Sequence, residues 1–432
     1  MDAMNKKNDL HGNGISEEHF TFYLLMLRNV GLSLVSRNNS KIYTLYSAFT
    51  VLCAYSFFAA IILDTIRNKQ NLQYAMQNVH GCTGIACTLW IHQCLRVQKN
   101  KFVKLMVLTS SFTWEDLSGT SADGKTSTMA AMFPRIRKFV KQMVISIIVF
   151  HGSYVIIRLT SSEKRELTAN SFYLFDVSRS PVYELILLSQ LTGFVFYGVM
   201  FFDLWGLYAT FICIACSQLE KLRAKLLDIR QKDDVAEEDS GAETDQEEEE
   251  EEQGLVQTSQ RVFLHMQKQL NDCIRHHQQI IRFMNAMEDT LNPVLLGLFF
   301  IAMTSICLSA FSIVMNLGDA MPIIQSAVIC GAMMFLLFAF CRLGEELTHH
   351  ATSIGDAVWN SNWVGTPVSF QGCLILITAT ANKKFCLTAG KFVSVSNNTM
   401  VNIFNQTMSF FMFLLKMKDR PNLDQHQEST AT

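Results

Sequence analysis

The sequence predicts an all-α membrane protein with seven transmembrane helices, the N-terminus inside, the C-terminus outside, and a cytosolic helical anchor layer. Three observations carry this. Of 432 residues 49% are hydrophobic and only 17% charged, with mean hydropathy +0.19, too apolar for a soluble enzyme of this size. Apolar runs long enough to cross a bilayer core of about 30 Å recur along the chain. Lys and Arg are distributed unevenly among the segments that join those runs.

The first segment, 1–42, is polar apart from a short apolar run at 20–27 that Arg28 ends. It lacks the apolar core and small-residue cleavage site of a signal peptide, so a cytosolic segment is expected, its apolar patch at the membrane surface. Spans are expected at 43–63, 76–95, 142–159, 184–216, 291–316, 323–341 and 396–415. These group as helices 1–4 within 43–216, helices 5–6 within 291–341, and a last helix within 396–418 followed by an extracellular tail, 419–432. A further apolar run, 371–381, is too short to span and is placed in a cytosolic helical segment, 342–395.

Seven crossings leave the termini on opposite sides. With the N-terminus inside, inner segments hold 5, 9, 9 and 4 basic residues, 27 of the 36, and outer segments hold 2, 4, 0 and 3. The threefold bias favours the N-terminus inside and the C-terminus outside, opposite to a G-protein-coupled receptor. The D-R-Y and N-P-x-x-Y motifs of such receptors are also absent from the third and seventh spans.

The fourth span is long and continues past the membrane, where Leu219, Leu222, Leu226 and Ile229 keep an apolar seam. A helix over 258–287 leads back into the fifth span with Val262, Met266, Leu270, Ile274 and Ile281. Together these make 217–290 a cytosolic anchor of paired helices, a suitable base for oligomerisation. Between them lies an acidic loop, 233–257. Its 13 acids and no base between Asp233 and Glu252 predict disorder, with a role in gathering cations at an inner pore mouth as the functional alternative.

The last span carries Asn398, Asn402, Asn405, Ser409 and Lys416 at spacings of four, three, four and seven, with Gln406 beside Asn405. That rhythm puts a polar strip on one helix face, which lipid would not favour. A pore lining and a polar seam between helices both fit.

Other candidates reduce to bland readings. Most of the twelve cysteines sit in apolar runs, and Cys213-x-x-Cys216 does so too, so no redox or metal role is expected. The doublets His276-His277 and His349-His350 point about 100° apart on a helix and do not share an ion. Asp203, the one acid well inside the fourth span, is expected near the inner interface or in a wet vestibule. Sequons at Asn38, Asn397 and Asn405 fall on cytosolic or membrane positions. No nucleophile–base pair, phosphate loop or metal spacing occurs, so neither an enzyme nor a cofactor is expected, and no nucleic acid partner.

The run Thr388-Ala389-Gly390-Lys391-Phe392, then Ser396, Thr399 and Thr407-Met408-Ser409-Phe410-Phe411, resembles the C-terminal signature of the insect odorant receptor family. Val358-Trp359-x-Ser361-x-Trp363 resembles the aromatic element that precedes it. Ser394 and Met400 replace the family's usual Pro and Phe, and the acidic loop is unusual for a ligand-specific member. The resemblance implies a tetrameric, ligand-gated, non-selective cation channel of the sensory-neuron plasma membrane, with a pore lined by the last helix. It implies an odour-specific subunit assembled with co-receptor subunits and opened by a small volatile apolar ligand.

For the pore, the resemblance assigns the constriction to Phe413 and Met417, with Lys416 beside them and Asn402, Gln406 and Ser409 along the path. An apolar ring there closes by dewetting. For the ligand, it points to the outer halves of the second, third, fourth and sixth helices. The candidates are His80, Thr83 and Gly84; Ile147, Phe150, His151 and Tyr154; Leu187, Leu191 and Phe194; and Gln325 and Val328. His151 and Tyr154 form the best polar pair. A gustatory-type homotetrameric channel and a seven-span receptor coupled to a separate effector are the alternatives.

Overall fold

A computed structural model describes residues 14–35, 40–70, 72–112, 129–160, 167–229, 248–316 and 320–429. The helices are α1 Gly14–Asn29, α2 Lys41–Arg67, α3 Leu72–Val97, α4 Lys99–Thr109, α5 Phe133–Thr160, α6 Val182–Leu227, α7 Glu248–Met315, α8 Ala320–Trp359, α9 Val368–Ala381 and α10 Asn397–Ser429. A two-stranded antiparallel hairpin, β1 Thr388–Ala389 and β2 Val393–Ser394, stands immediately before α10.

The bundle is built around α6. At 46 residues it is about 69 Å long, more than twice a bilayer core. Its lower half, including Leu207, Tyr208, Phe211, Ile212 and Cys216, is fully buried against α1, α7 and α8. The helix runs unbroken through 217–227, with Leu219, Leu222 and Leu226 of the expected apolar seam buried. The returning helix α7 is a single element of 68 residues that covers both the helix expected at 258–287 and the apolar run expected at 291–316.

Among the described residues five helices are long and apolar enough to cross a membrane, lying at Lys41–Arg67, Met129–Thr160, Val182–Leu227, Val262–Met315 and Ile323–Trp359. The second and seventh expected spans correspond to α3 and α10, which have the length but carry more polar residues.

Two expectations change. The apolar run at 20–27, expected at the membrane surface, packs one of its faces against the bundle and leaves Leu25 exposed. Phe20, Tyr23, Leu27 and Val30 form one helical face buried against α6, where Phe20 meets the Phe211 ring at 5.2 Å and the Thr210 hydroxyl donates to that of Tyr23 at 3.2 Å. Gly206 makes room for the Tyr23 ring. The acidic loop was expected to reach 257, but α7 begins at Glu248, so 248–257 is helical. Glutamates are good helix formers, and their charge suits the positive end of the helix dipole. Residues 230–247, with the remainder of that loop, lie outside the described residues.

The short apolar run forms α9, with Phe370, Leu374, Ile377 and Ala381 packed inward on one face and Ile375 and Leu376 exposed on the other. In α10 the polar strip is left open. Ile403 is buried and Met400, Thr407, Phe411 and Leu415 are half-buried on the side of α10 that packs against the bundle, where α10 meets α7 and α8. The helix extends past 418 through most of the expected tail.

Candidate ligand cavity and last-helix anchor

A cavity of about 290 Å³ opens within the bundle where five helices converge. Gly84, Cys87 and Thr88 come from α3, Ile147 and His151 from α5, and Phe194, Tyr197, Gly198, Phe201 and Phe202 from α6. Leu298, Ile301 and Ala302 come from α7, and Met333 and Leu336 from α8. The size suits a small molecule, and the wall is almost wholly apolar. Small residues create the space, since a Cβ at Gly84 would meet nothing within 4 Å.

Of the expected ligand residues, Gly84, Ile147, His151 and Phe194 are brought together on this wall. His151 lies flat on Phe194, ring centroids 4.1 Å apart and planes within 6°. Phe150 meets the same imidazole edge-on but is itself exposed on the outer side of α5. Tyr154 stands off the cavity, its hydroxyl accepting from the Arg158 guanidinium at 2.9 Å. Thr83 is half-buried beside the cavity without lining it. Leu187 and Leu191 belong to a separate cluster with Val155 and Tyr183, and Gln325 and Val328 are exposed on α8. The side chain of His80 lies outside the described residues. The wall contributed by α7 was not anticipated, although the i, i+3, i+4 spacing of Leu298, Ile301 and Ala302 is the pattern of an inward face.

The other assigned positions lie on α10. Asn402, Gln406, Ser409, Phe413 and Lys416 are all exposed on the single chain, and the side chain of Met417 lies outside the described residues. What holds this helix is at its start. The three-residue hairpin loop Gly390-Lys391-Phe392 has positive φ at its first two residues, 66° and 61°, and the Phe392 N–H donates to the Ala389 carbonyl at 3.3 Å. The Asn292 side-chain amide donates to the Thr388 carbonyl at 3.1 Å and hydroxyl at 2.7 Å, and Glu288 binds Thr388 as well. Glu345 on α8 accepts from the Asn397 backbone N–H at 3.1 Å, a negative charge at the helix N-terminus.

Pro293 removes one donor from the α7 ladder, and the carbonyl it leaves free, that of Asp289, accepts from Lys101 at 3.5 Å. Trp90 donates to the Pro293 carbonyl at 3.1 Å and lies in the space left by Gly297. Asp203 is fully buried, and neither carboxylate oxygen has a hydrogen-bond partner among the described residues. No group of three His, Cys, Asp or Glu among the described residues is placed to hold a metal ion. His276 instead pairs with Gln218 at 3.0 Å, and His350 stands between Glu220 and Glu346.

Long apolar helices around a closed central rod, with a ligand-sized cavity inside the bundle, define a polytopic helical membrane protein. The family follows from the sequence match: a family model described as 7tm odorant receptor covers residues 71–408, and the chain belongs to that family. The chain is 26% identical over 148 residues to putative odorant receptor 85e of Drosophila melanogaster, covering 34% of this chain and 32% of that one. It is 24% identical over 153 residues to odorant receptor Or2 of Anopheles gambiae, covering 34% and 39%. These matches thus span about a third of the length of each relative. In fold, the chain is similar to the olfactory receptor OR5 of Machilis hrabei solved in complex with eugenol. The TM-score is 0.64 at 15% identity, over 93% of this chain and 98% of that one.

Proposed function

We propose that this chain is an odour-specific subunit of a ligand-gated, non-selective cation channel. It assembles with co-receptor subunits in a heterotetramer of the plasma membrane, with its N-terminus inside. A small volatile apolar molecule enters the cavity between α3, α5, α6, α7 and α8, and the response is opening of a pore lined by α10.

The observation that carries the reading is the state of α10. Asn402, Gln406 and Ser409 are exposed although the helix packs on its own bundle through the stripe of Ile403, Thr407, Phe411 and Leu415. Within a membrane such amides and hydroxyls must face water or another protein surface. Copies of α10 grouped around a central axis supply both. Phe413, further along that face, forms the apolar constriction with Met417, and Lys416 beside it reaches toward the outer interface.

The test is expression with and without a co-receptor, recording currents under an odorant panel. Odorant-evoked cation current that requires this chain, with relative permeabilities altered by Asn402→Ala or Gln406→Ala, supports the reading. Surface-labelled protein that responds only through a second-messenger pathway overturns it.

A further inference from the structure

We propose that His151 selects the ligand class: an apolar body bearing one hydrogen-bond-accepting oxygen. This rests on the cavity being the ligand site of an odorant-gated channel.

The cavity wall holds few hydrogen-bond donors. Most of its residues are hydrocarbon or aromatic and offer none. Thr88 has one hydroxyl proton, which goes to the carbonyl of Ile85 at 2.8 Å, one turn back on its own helix. Tyr197 gives its proton to the carbonyl of Ala54, turning its hydroxyl away toward α2. Cys87 has only a thiol, a weak donor.

His151 is different. Its ring nitrogens have no hydrogen-bond partner among the described residues, and the ring is fixed between Phe194, stacked flat, and Phe150, edge-on. An imidazole keeps at least one N–H in every protonation state it adopts in a protein, and exchange between its two neutral tautomers lets whichever ring nitrogen meets the ligand carry that proton to an accepting oxygen. A hydrocarbon of the same shape would strip water from that N–H and return nothing, and this asymmetry is what discriminates. Tyr154, one turn further along α5, cannot take the role, because it does not line the cavity.

The experiment uses the full chain expressed with its co-receptor. The probes are ketones and aryl ketones, each paired with the alkene in which C=CH2 replaces C=O: 2-heptanone with 2-methyl-1-heptene, acetophenone with α-methylstyrene, and homologues of six to ten carbons. The readout is the ratio of half-effective concentrations within each pair. A preference for the oxygenated member of about tenfold or more is expected, on the scale of one unpaired donor. His151→Phe should bring the ratio near one, and His151→Gln, which keeps a donor, should restore much of it. Surface labelling of each variant separates a folding defect from a change in ratio.

An alkene as potent as its ketone on the native receptor overturns the inference. So does an unchanged ratio in a surface-labelled His151→Phe receptor, or silence to the whole oxygenated set while a ligand without an accepting atom opens the channel. A surface-labelled complex silent to every odorant overturns instead the channel reading beneath it.

Discussion

Glu288 on α7 and Thr388 on β1 hold each other at two points across 100 residues of sequence. The Thr388 backbone N–H donates to one carboxylate oxygen at 2.9 Å, and its hydroxyl donates to the other. Asn292, one turn along α7, donates to the same carboxylate at 3.1 Å and to Thr388. Thr388→Val keeps the shape and removes the hydroxyl, so the Glu288 carboxylate and the Asn292 amide each lose one partner while keeping each other, at a cost of about 0.5–1.5 kcal/mol. The melting midpoint of the detergent-purified protein should fall by a few degrees. An unchanged midpoint would mean the clamp holds nothing.

The junction between α8 and the last helix is steric as well as polar. A Cβ at Gly344 would stand 2.5 Å from the Val395 carbonyl oxygen, and that backbone is tied by the Val395 N–H to Leu387 at 2.8 Å. Since a backbone oxygen held in this way cannot rotate aside, Gly344→Ala should cost about 1–3 kcal/mol or more and sharply reduce surface protein. Gly355→Ala, about three turns along the same helix with its nearest neighbour at 3.6 Å, should instead gain about 0.5–1 kcal/mol. Equal surface levels for the two variants would refute the contrast.

Gly84 tests the cavity by volume. Its missing Cβ faces open space, so Gly84→Leu should leave folding intact, strengthen α3 slightly and occupy part of the 290 Å³. Surface labelling should match the native chain, while half-effective odorant concentrations rise at least tenfold and most for the bulkiest ligands. A uniform sensitivity across ligand sizes would place the ligand elsewhere.

In the anchor layer, burial first, and then Lys221 and Lys225, hold the His276 imidazole down at about 4, against an ordinary 6.5. Above pH 6.5 it is neutral whether the chain is folded or not, and it adds no pH dependence. Between 6.5 and 4 the unfolded chain takes the proton and the folded one does not, so stability falls with pH. The loss levels off below 4 at about 3 kcal/mol for a shift of this size. Unfolding midpoints of native and His276→Gln protein, measured from pH 7.5 to 4, should diverge below 6.5, with the variant the less acid-sensitive. Parallel curves would show that the group is solvated.

How much of this was legible in the sequence depends on the distance over which each feature is decided. Apolar runs and Lys/Arg bias are local, and α2, α5, α6, α7 and α8 lie where those runs fall. The polar strip of α10 was equally legible, because a period near 3.6 needs no partner to be recognised. Burial of α1 was not, since the partners of Phe20 and Tyr23 at Phe211 and Thr210 lie almost 190 residues away. In the cavity, Gly84, Ile147, His151 and Phe194 share the wall, while Phe150 and Val328 face outward. Helices that are apolar all round do not declare which face is lipid and which is interior. The Glu288–Thr388 clamp joins two segments that look unremarkable apart.

The continuity of α7 has a mechanical meaning. From Cys273 to Ala302 on the cavity wall the helix runs about 44 Å, its ladder missing one hydrogen bond at Pro293, where Lys101 and Trp90 brace the backbone from outside. Over that arm a tilt of about 2° at one end becomes a displacement of about 1.5 Å at the other, comparable to the sliding of packed helices in known switches. The Glu288–Thr388 contact sits between the two ends. A small reorientation of α7 by an occupant of the cavity would therefore be delivered as translation to the hairpin from which α10 springs.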